Sequence, residues 1–172
     1  DGFHYSHPEI GLIEWMPVMQ SGESTTIKIV GYHPGNPRSR QLPTILATIS
    51  VYDTGTGHLR GLVDGTFLTA VRTGAASAVA SRVLARPSSH ILGLVGCGAQ
   101  AVTQIHAMVR TFPIDQVLVY DVDHAALASL PARIERFLPP DVEVRSVPME
   151  LLMQTADIVC TATSIGIGEG PL

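Results

Sequence analysis

The chain has 172 residues, of which 45% are apolar and only 15% charged, a balance that favours a folded protein and excludes a disordered one. A net charge of −4 without any basic cluster excludes the electrostatic footprint of a nucleic-acid or anionic-membrane binder. Two cysteines make no disulfide framework, and seven scattered histidines form no paired metal-ligand motif.

The chain opens Asp1-Gly-Phe-His-Tyr5 with no basic n-region, so no signal peptide is read and a cytoplasmic protein is expected. The first 65 residues read as β structure. Apolar or β-branched runs at Leu12 to Met19, Thr25 to Tyr32, Thr44 to Tyr52 and Leu59 to Val63 alternate with turn clusters such as Gln20-Ser-Gly-Glu-Ser24 and His33-Pro-Gly-Asn-Pro37. A meander or a mixed sheet follows from that alternation. From Thr66 to Arg86 the spacing becomes helical, with Phe67, Val71, Ala75, Ala78, Val79 and Val83 recurring at a helical period and Arg86-Pro87 ending the run. Gly74-Ala-Ala-Ser-Ala78 gives this helix a small face, to which another backbone can come close.

An uncharged stretch follows over residues 88–109. It is long enough to raise a membrane span, but it contains Gly96, Gly98, Gln100, Gln104 and His106, so strand, turn and helix explain it better. The strand is Ile91-Leu-Gly-Leu-Val95, and the turn is Gly96-Cys-Gly98-Ala-Gln-Ala101. Gly96 permits the tight turn, Gly98 lets backbone approach a pyrophosphate, and small Ala101 lets the helix pack close. The helix presents its free N–H groups and positive dipole end to the phosphates. The next apolar run, Gln116 to Tyr120, ends in Asp121, roughly 20 residues past the glycines, where a carboxylate accepts ribose hydroxyls and repels a 2′-phosphate. NAD is therefore favoured over NADP. The structural alternative is an ordinary strand-end Asp capping the next helix.

Further elements are a helix from His124 to Phe137, a strand Val142 to Val147, a helical turn Met149 to Gln154 and a strand Ile158 to Ala162. That alternation predicts an α/β fold with a doubly wound parallel sheet, of which only the first half is present. Cys97 and Cys160 read as small buried residues of a reducing compartment.

Leu42-Pro-Thr-Ile45, Asp64-Gly-Thr66, the block from Leu68 to Ala78 and Gly96-Cys-Gly-Ala-Gln100, taken together, closely resemble the ornithine cyclodeaminase and mu-crystallin family. Lys28 followed by Pro34-Gly-Asn-Pro37 is similar as well. The resemblance implies a partial substrate and dimerisation domain over 1–87 and the first half of an NAD-binding Rossmann domain over 88–172, in a homodimer. It also implies the conversion of L-ornithine to L-proline and ammonia with internally recycled NAD. Relatives that look alike are ketimine reductases, alanine or opine-type dehydrogenases and non-catalytic binding proteins.

Residue by residue, the resemblance places Lys28 and Arg72 at the substrate carboxylate, Arg72 also near the cofactor phosphates, and Glu14 close to the substrate pocket. Thr44, Ala99, Gln100, Asp121 and Thr161 match positions resembling the family's cofactor contacts. On the residues alone, Lys28 is the only lysine, set between Ile27 and Ile29 in a strand that turns it to the opposite face. A snorkelling strand lysine, a solvated helix arginine, a plain strand Thr44 and an exposed strand Glu14 are the structural alternatives. Two departures from the family stand out. No arginine precedes Arg38, where members carry one upstream of the lysine and this chain has His4 nearby. The family's catalytic aspartate falls beyond Leu172, which reads as a fragment whose last strand is followed by a glycine-rich tail.

Overall fold

The structure, a computed structural model, describes residues 4–7 and 10–164. The glycine-rich tail invoked above lies outside the described residues. Two compact units emerge, Asp1–Thr69 and Ala70–Ser164 in their described parts.

The first unit is built on a five-stranded sheet in the order β1-β2-β3-β4-β5, with β1 His4–His7, β2 Gly11–Gln20, β3 Ser24–Tyr32, β4 Ile45–Asp53 and β5 Leu59–Asp64. Among the described residues every pairing is antiparallel, so of the two arrangements open to the sequence the described strands form the meander. The reason lies in the links. Parallel neighbours need long crossovers, whereas β2 and β3, and β4 and β5, are joined by tight turns. Between β2 and β3, Gly22 adopts a φ of +79° and the Glu23 N–H donates to the Gln20 carbonyl. Between β4 and β5, the Asp53 carboxylate accepts from the N–H groups of Gly55 and Thr56 and from the Thr56 hydroxyl. The β3–β4 link holds a short helix, α1 (Asn36–Ser39), where the Asn36 side-chain amide donates to the Pro43 carbonyl.

The register places Glu14 opposite Val30 and Val30 opposite Ala47; in the next same-face row Met16, Lys28, Ile49 and Val63 face one another. Val30, Ala47 and Ile49 are buried. Thr44 lies one residue before β4 rather than in it, and its carbonyl accepts from the His33 N–H. The edge of β4 is closed by the chain as it leaves β5. The Gly65 N–H donates to the Ala47 carbonyl, and the Ala47 N–H donates to the Thr66 hydroxyl.

Helix α2 (Thr66–Leu84) runs across the division between the units, which falls at Thr69 and Ala70. Its large apolar positions do not form a buried stripe. Phe67, Val79 and Val83 are exposed, while Gly74 and Ala78 are buried. The physical reason is close approach: a Cβ at Gly74 would stand 2.2 Å from the Thr103 carbonyl oxygen, so the helix backbones meet where only the small face fits.

The second unit carries a parallel sheet in the order β8-β7-β6-β9, formed by β6 Ile91–Val95, β7 Gln116–Tyr120, β8 Glu143–Ser146 and β9 Ile158–Thr161. The helices are α3 (Ala99–Val109), α4 (His124–Ile134) and α5 (Met149–Thr155). Asp123 caps α4, its carboxylate accepting from the N–H groups of Ala125 and Ala126. Leu92, Leu94, Ile105, Met108, Val117 and Leu130 fill the core on one side of the sheet. The apolar runs of the two central strands β6 and β7 are what a sheet covered on both faces requires, whereas edge strand β8 carries Glu143 and Arg145.

Candidate functional site

The chain passes from β6 to β7 and β8 on one side, and β9 then adds on the other side of β6. That reversal makes a switch point at the carboxyl ends of β6 and β9, the place where open α/β sheets bind ligands. Val95 is paired with Tyr120 and with Thr161, so the turn after β6, Asp121 and Thr161 all stand at one edge.

Backbone geometry at Gly96 is that of the tight turn expected there. Gly96 has a φ of +98°, and a Cβ there would lie 2.6 Å from the carbonyl carbon and oxygen of Ala162. Two strand ends crowd at this point, and only glycine fits. At Gly98, by contrast, a Cβ would meet nothing within 4 Å. Gly98 is the N-cap of α3, extended and without a side chain to satisfy the helix N–H groups, while Ala101 beneath it is fully buried. An uncapped helix N-terminus opening onto free room is suited to a diphosphate. The residues present therefore fit the phosphates of a dinucleotide.

Asp121 is tied to that turn. Its carboxylate accepts from the Cys97 N–H at 2.6 Å and from the Asp123 N–H at 2.9 Å, so it is held in one orientation with further lone pairs left for hydroxyl groups. Burial, helped by the Asp121 carboxylate and opposed by Arg133, pushes the Cys97 thiol up to about 11. Cys97 is thus a neutral packing residue beneath the turn, and burial raises Cys160 as well. Gln100 is partly committed within its helix, its carbonyl and side-chain oxygen both accepting from the Thr103 hydroxyl. Ala99 and Thr161 are exposed at the site's edge.

One residue at this edge was missed by sequence reasoning. Arg133, near the end of α4, donates to the carbonyls of Gly98 at 3.0 Å and of Cys97, and to Ala126 within its own helix. No motif spacing signals it, because the contact spans 35 residues of sequence.

In the first unit, Glu14 and Lys28 lie on adjacent strands and on the face shared by Val30, Ala47 and Ile49, so the register brings these two predicted residues together. They are diagonal neighbours, a relation that puts Cα atoms roughly 7–8 Å apart. A concave surface of about 660 Å³, lined among others by Ile13, Ile29, Leu46 and Thr48, includes neither of them. Thr44 stands at the start of β4 in this unit. Arg72 lies in the second turn of α2, exposed, and belongs to the second unit. Among the described residues no group of three or more His, Cys, Asp or Glu is placed to hold a metal ion, and no helix is long and apolar enough to cross a membrane.

Residues 4–166 match the model of the ornithine cyclodeaminase/mu-crystallin family. The chain is 44% identical to L-lysine cyclodeaminase of Streptomyces rapamycinicus over 94% of its own length and 46% of that protein. A solved structure concerned with recognition of L-lysine, L-ornithine and L-2,4-diaminobutyric acid by lysine cyclodeaminase superposes with a TM-score of 0.89 at 49% identity, over 99% of this chain and 49% of the other. The Thermococcus litoralis Δ1-pyrroline-2-carboxylate reductase, solved with NADH and L-proline, superposes with a TM-score of 0.86 at 34% identity, over 94% and 50%. The chain thus spans about half the length of the relatives it matches.

Proposed function

The chain belongs to the ornithine cyclodeaminase/mu-crystallin family, and from that premise we propose that the complete protein is an NAD-dependent cyclodeaminase of basic diamino acids. The observation that carries this reading is the turn at Gly96 to Ala99: strained only where glycine stands, open at Gly98 and set at the sheet's switch point. The sequence pointed to L-ornithine and L-proline, but the similarity to L-lysine cyclodeaminase supports a wider substrate class, L-lysine or L-ornithine, which differ by one methylene. One methylene in a pocket discriminates by only ~1–3 kcal/mol.

Bound NAD would supply a hydride acceptor and donor for the substrate's Cα. The chain's own residues do the positioning. Lys28 and Arg72 pair with the substrate carboxylate, which fixes the orientation of Cα, and Glu14 on the Lys28 face stands by the substrate. Gly96, Gly98, Ala99 and Gln100 form the phosphate cradle, with Arg72 adding positive charge. Asp121 accepts the adenosine ribose hydroxyls and disfavours a 2′-phosphate, and Thr44 and Thr161 complete the cofactor's contacts. The protein is proposed to act as a homodimer, and its two buried free cysteines favour a reducing compartment such as the cytoplasm.

A second reading has an observation in its favour, the relative solved with NADH and L-proline: a reductase or dehydrogenase with net redox change. One assay separates the two. The complete protein is given a trace of NAD and L-lysine, L-ornithine or L-2,4-diaminobutyrate. Ammonia release far exceeding the NAD supplied, with no accumulating NADH absorbance, is expected. Stoichiometric NADH formation would instead establish the dehydrogenase reading, and retention of NADH with no turnover of any amino acid would leave a binding protein.

A further inference from the structure

Arg133 has an unusual set of partners. Its guanidinium donates to the carbonyls of Cys97, Gly98 and Ala126, and its Nε–H to the Ser129 carbonyl at 3.4 Å. All four acceptors are neutral, and among the described residues Arg133 makes no ion pair. Two of the carbonyls belong to its own helix and hold the side chain in place. The other two belong to the glycine turn.

Those two contacts dictate where neighbouring N–H groups point. No peptide bond among the described residues is cis, and in a trans peptide the C=O and the following N–H point in opposite directions. With the Cys97 and Gly98 carbonyls drawn toward α4, the N–H groups of Gly98 and Ala99 are turned to the opposite side. The Cys97 N–H is separately held by Asp121. Three consecutive peptides are thus held from outside the turn by one carboxylate and one guanidinium, the Gly98 carbonyl accepting from the Ala101 N–H of α3 as well. The guanidinium also sets a positive charge beside the turn, at whose Cys97 N–H the Asp121 carboxylate is bound.

We propose that Arg133 is a positioning residue for the cofactor diphosphate, orienting the Gly98 and Ala99 N–H groups and backing the turn with positive charge. The inference rests on the NAD reading above. Its ligand is the diphosphate, not the adenosine, and that distinction makes it testable. In the complete protein, dissociation constants for NADH, ADP-ribose and adenosine are measured by fluorescence and calorimetric titration for wild type, Arg133→Met, Arg133→Lys and Arg136→Met. Arg136 is an exposed neighbour beyond the same helix.

Arg133→Met is expected to weaken NADH and ADP-ribose by about tenfold or more, the equivalent of one charged hydrogen bond, while adenosine binding stays within about twofold. Arg133→Lys, which keeps the charge but loses the two-pronged donor, should fall between, and Arg136→Met should match wild type. Unchanged NADH affinity in Arg133→Met would overturn the inference, as would a parallel loss of adenosine and NADH, which marks a merely structural role. If Arg133→Met does not fold, Arg133→Lys decides, and wild-type NADH affinity there overturns it. Wild-type protein that binds no NADH would overturn the cofactor reading itself, a different result from either of these.

Discussion

The two units set out their candidate residues by different means. In the second unit the cradle is made of backbone: Gly96 strained at positive φ, Gly98 open, and a helix start with unsatisfied N–H groups, all within a few consecutive residues. In the first unit the proposed substrate residues are side chains, and Glu14 and Lys28 share a face of the sheet because of the β2–β3 register. A backbone site tolerates side-chain change but no Cβ in the wrong place. A register site tolerates neither loss of the side chain nor a slip of one residue, which would turn every side chain to the other face.

Substitution of the two cations proposed for the substrate carboxylate, Lys28 in the first unit and Arg72 in the second, should have the largest effect on chemistry and the smallest on fold. Lys28→Met and Arg72→Ala are each expected to abolish turnover in the complete protein, with the melting temperature within a few degrees of wild type. Losing one charged hydrogen bond to the carboxylate should cost ~1.5–3 kcal/mol in substrate binding. Steady-state kinetics and a thermal melt check this, and wild-type kinetics in both variants would place the substrate elsewhere.

The backbone site should answer in the reverse order. Gly96→Ala meets both an unfavourable φ and the Ala162 backbone, and is expected to destabilise the protein by ~2–5 kcal/mol in denaturant unfolding. Gly98→Ala meets nothing in the protein itself. It should melt like wild type yet bind NADH more weakly, because its methyl enters the space left for phosphate. Equal stability of the two variants would show that the turn is not organised as described. Gly74→Val extends the test to the contact between α2 and α3, where overpacking against Thr103 should cost ~1–3 kcal/mol.

Asp121 joins the two kinds of site, a side chain that holds a backbone turn. The wild-type protein should bind NAD more tightly than NADP in parallel titrations. Asp121→Ser with a nearby arginine should move that preference toward NADP.

The smallest effect is expected from pH. Asp157 accepts from the N–H groups of His90 and Ile91 and from Arg86 at 2.7 Å, tying the starts of β6 and β9 together. The two backbone hydrogen bonds, with Arg86 adding to them, hold its carboxyl below the ordinary carboxylate range. A depressed value means that its stabilisation is complete above the unfolded carboxylate value of ~3.9 and lost as pH falls through the native one. Asp157→Asn should therefore flatten the acid limb of a melting-temperature profile taken from about pH 6 down to about pH 2. An unchanged acid limb would remove Asp157 from that role.

Much of the fold was legible because its signals are contiguous. The strand before the glycines, the turn and the helix after it are read within about a dozen residues, and the alternation of helix and strand up to Ile158 carried the parallel sheet. The first strand, His4–His7, escaped because four polar and aromatic residues make no apolar run. Helix α2 was located, and its small face at Gly74 was read as the place where another backbone comes close, which is where it is buried. Its apolar residues and its small residues both recur at a helical period, and periodicity alone does not say which of two faces goes inward.

The sequence by itself determined the chemistry of the phosphate turn, since φ > 0 and close backbone approach are properties of glycine wherever it stands. It also determined that a carboxylate follows at Asp121 and that a lone lysine sits in a strand between two isoleucines. Tertiary structure alone decided which neighbours those groups have. Glu14 beside Lys28 depends on a register set by the Gly22 turn, the small face of α2 turned inward depends on the approach of α3, and Arg133 at the Cys97 and Gly98 carbonyls depends on how α4 packs. Each is a contact between segments distant in the chain, which local propensity does not encode because the energy that selects it is packing and hydrogen bonding in the assembled unit.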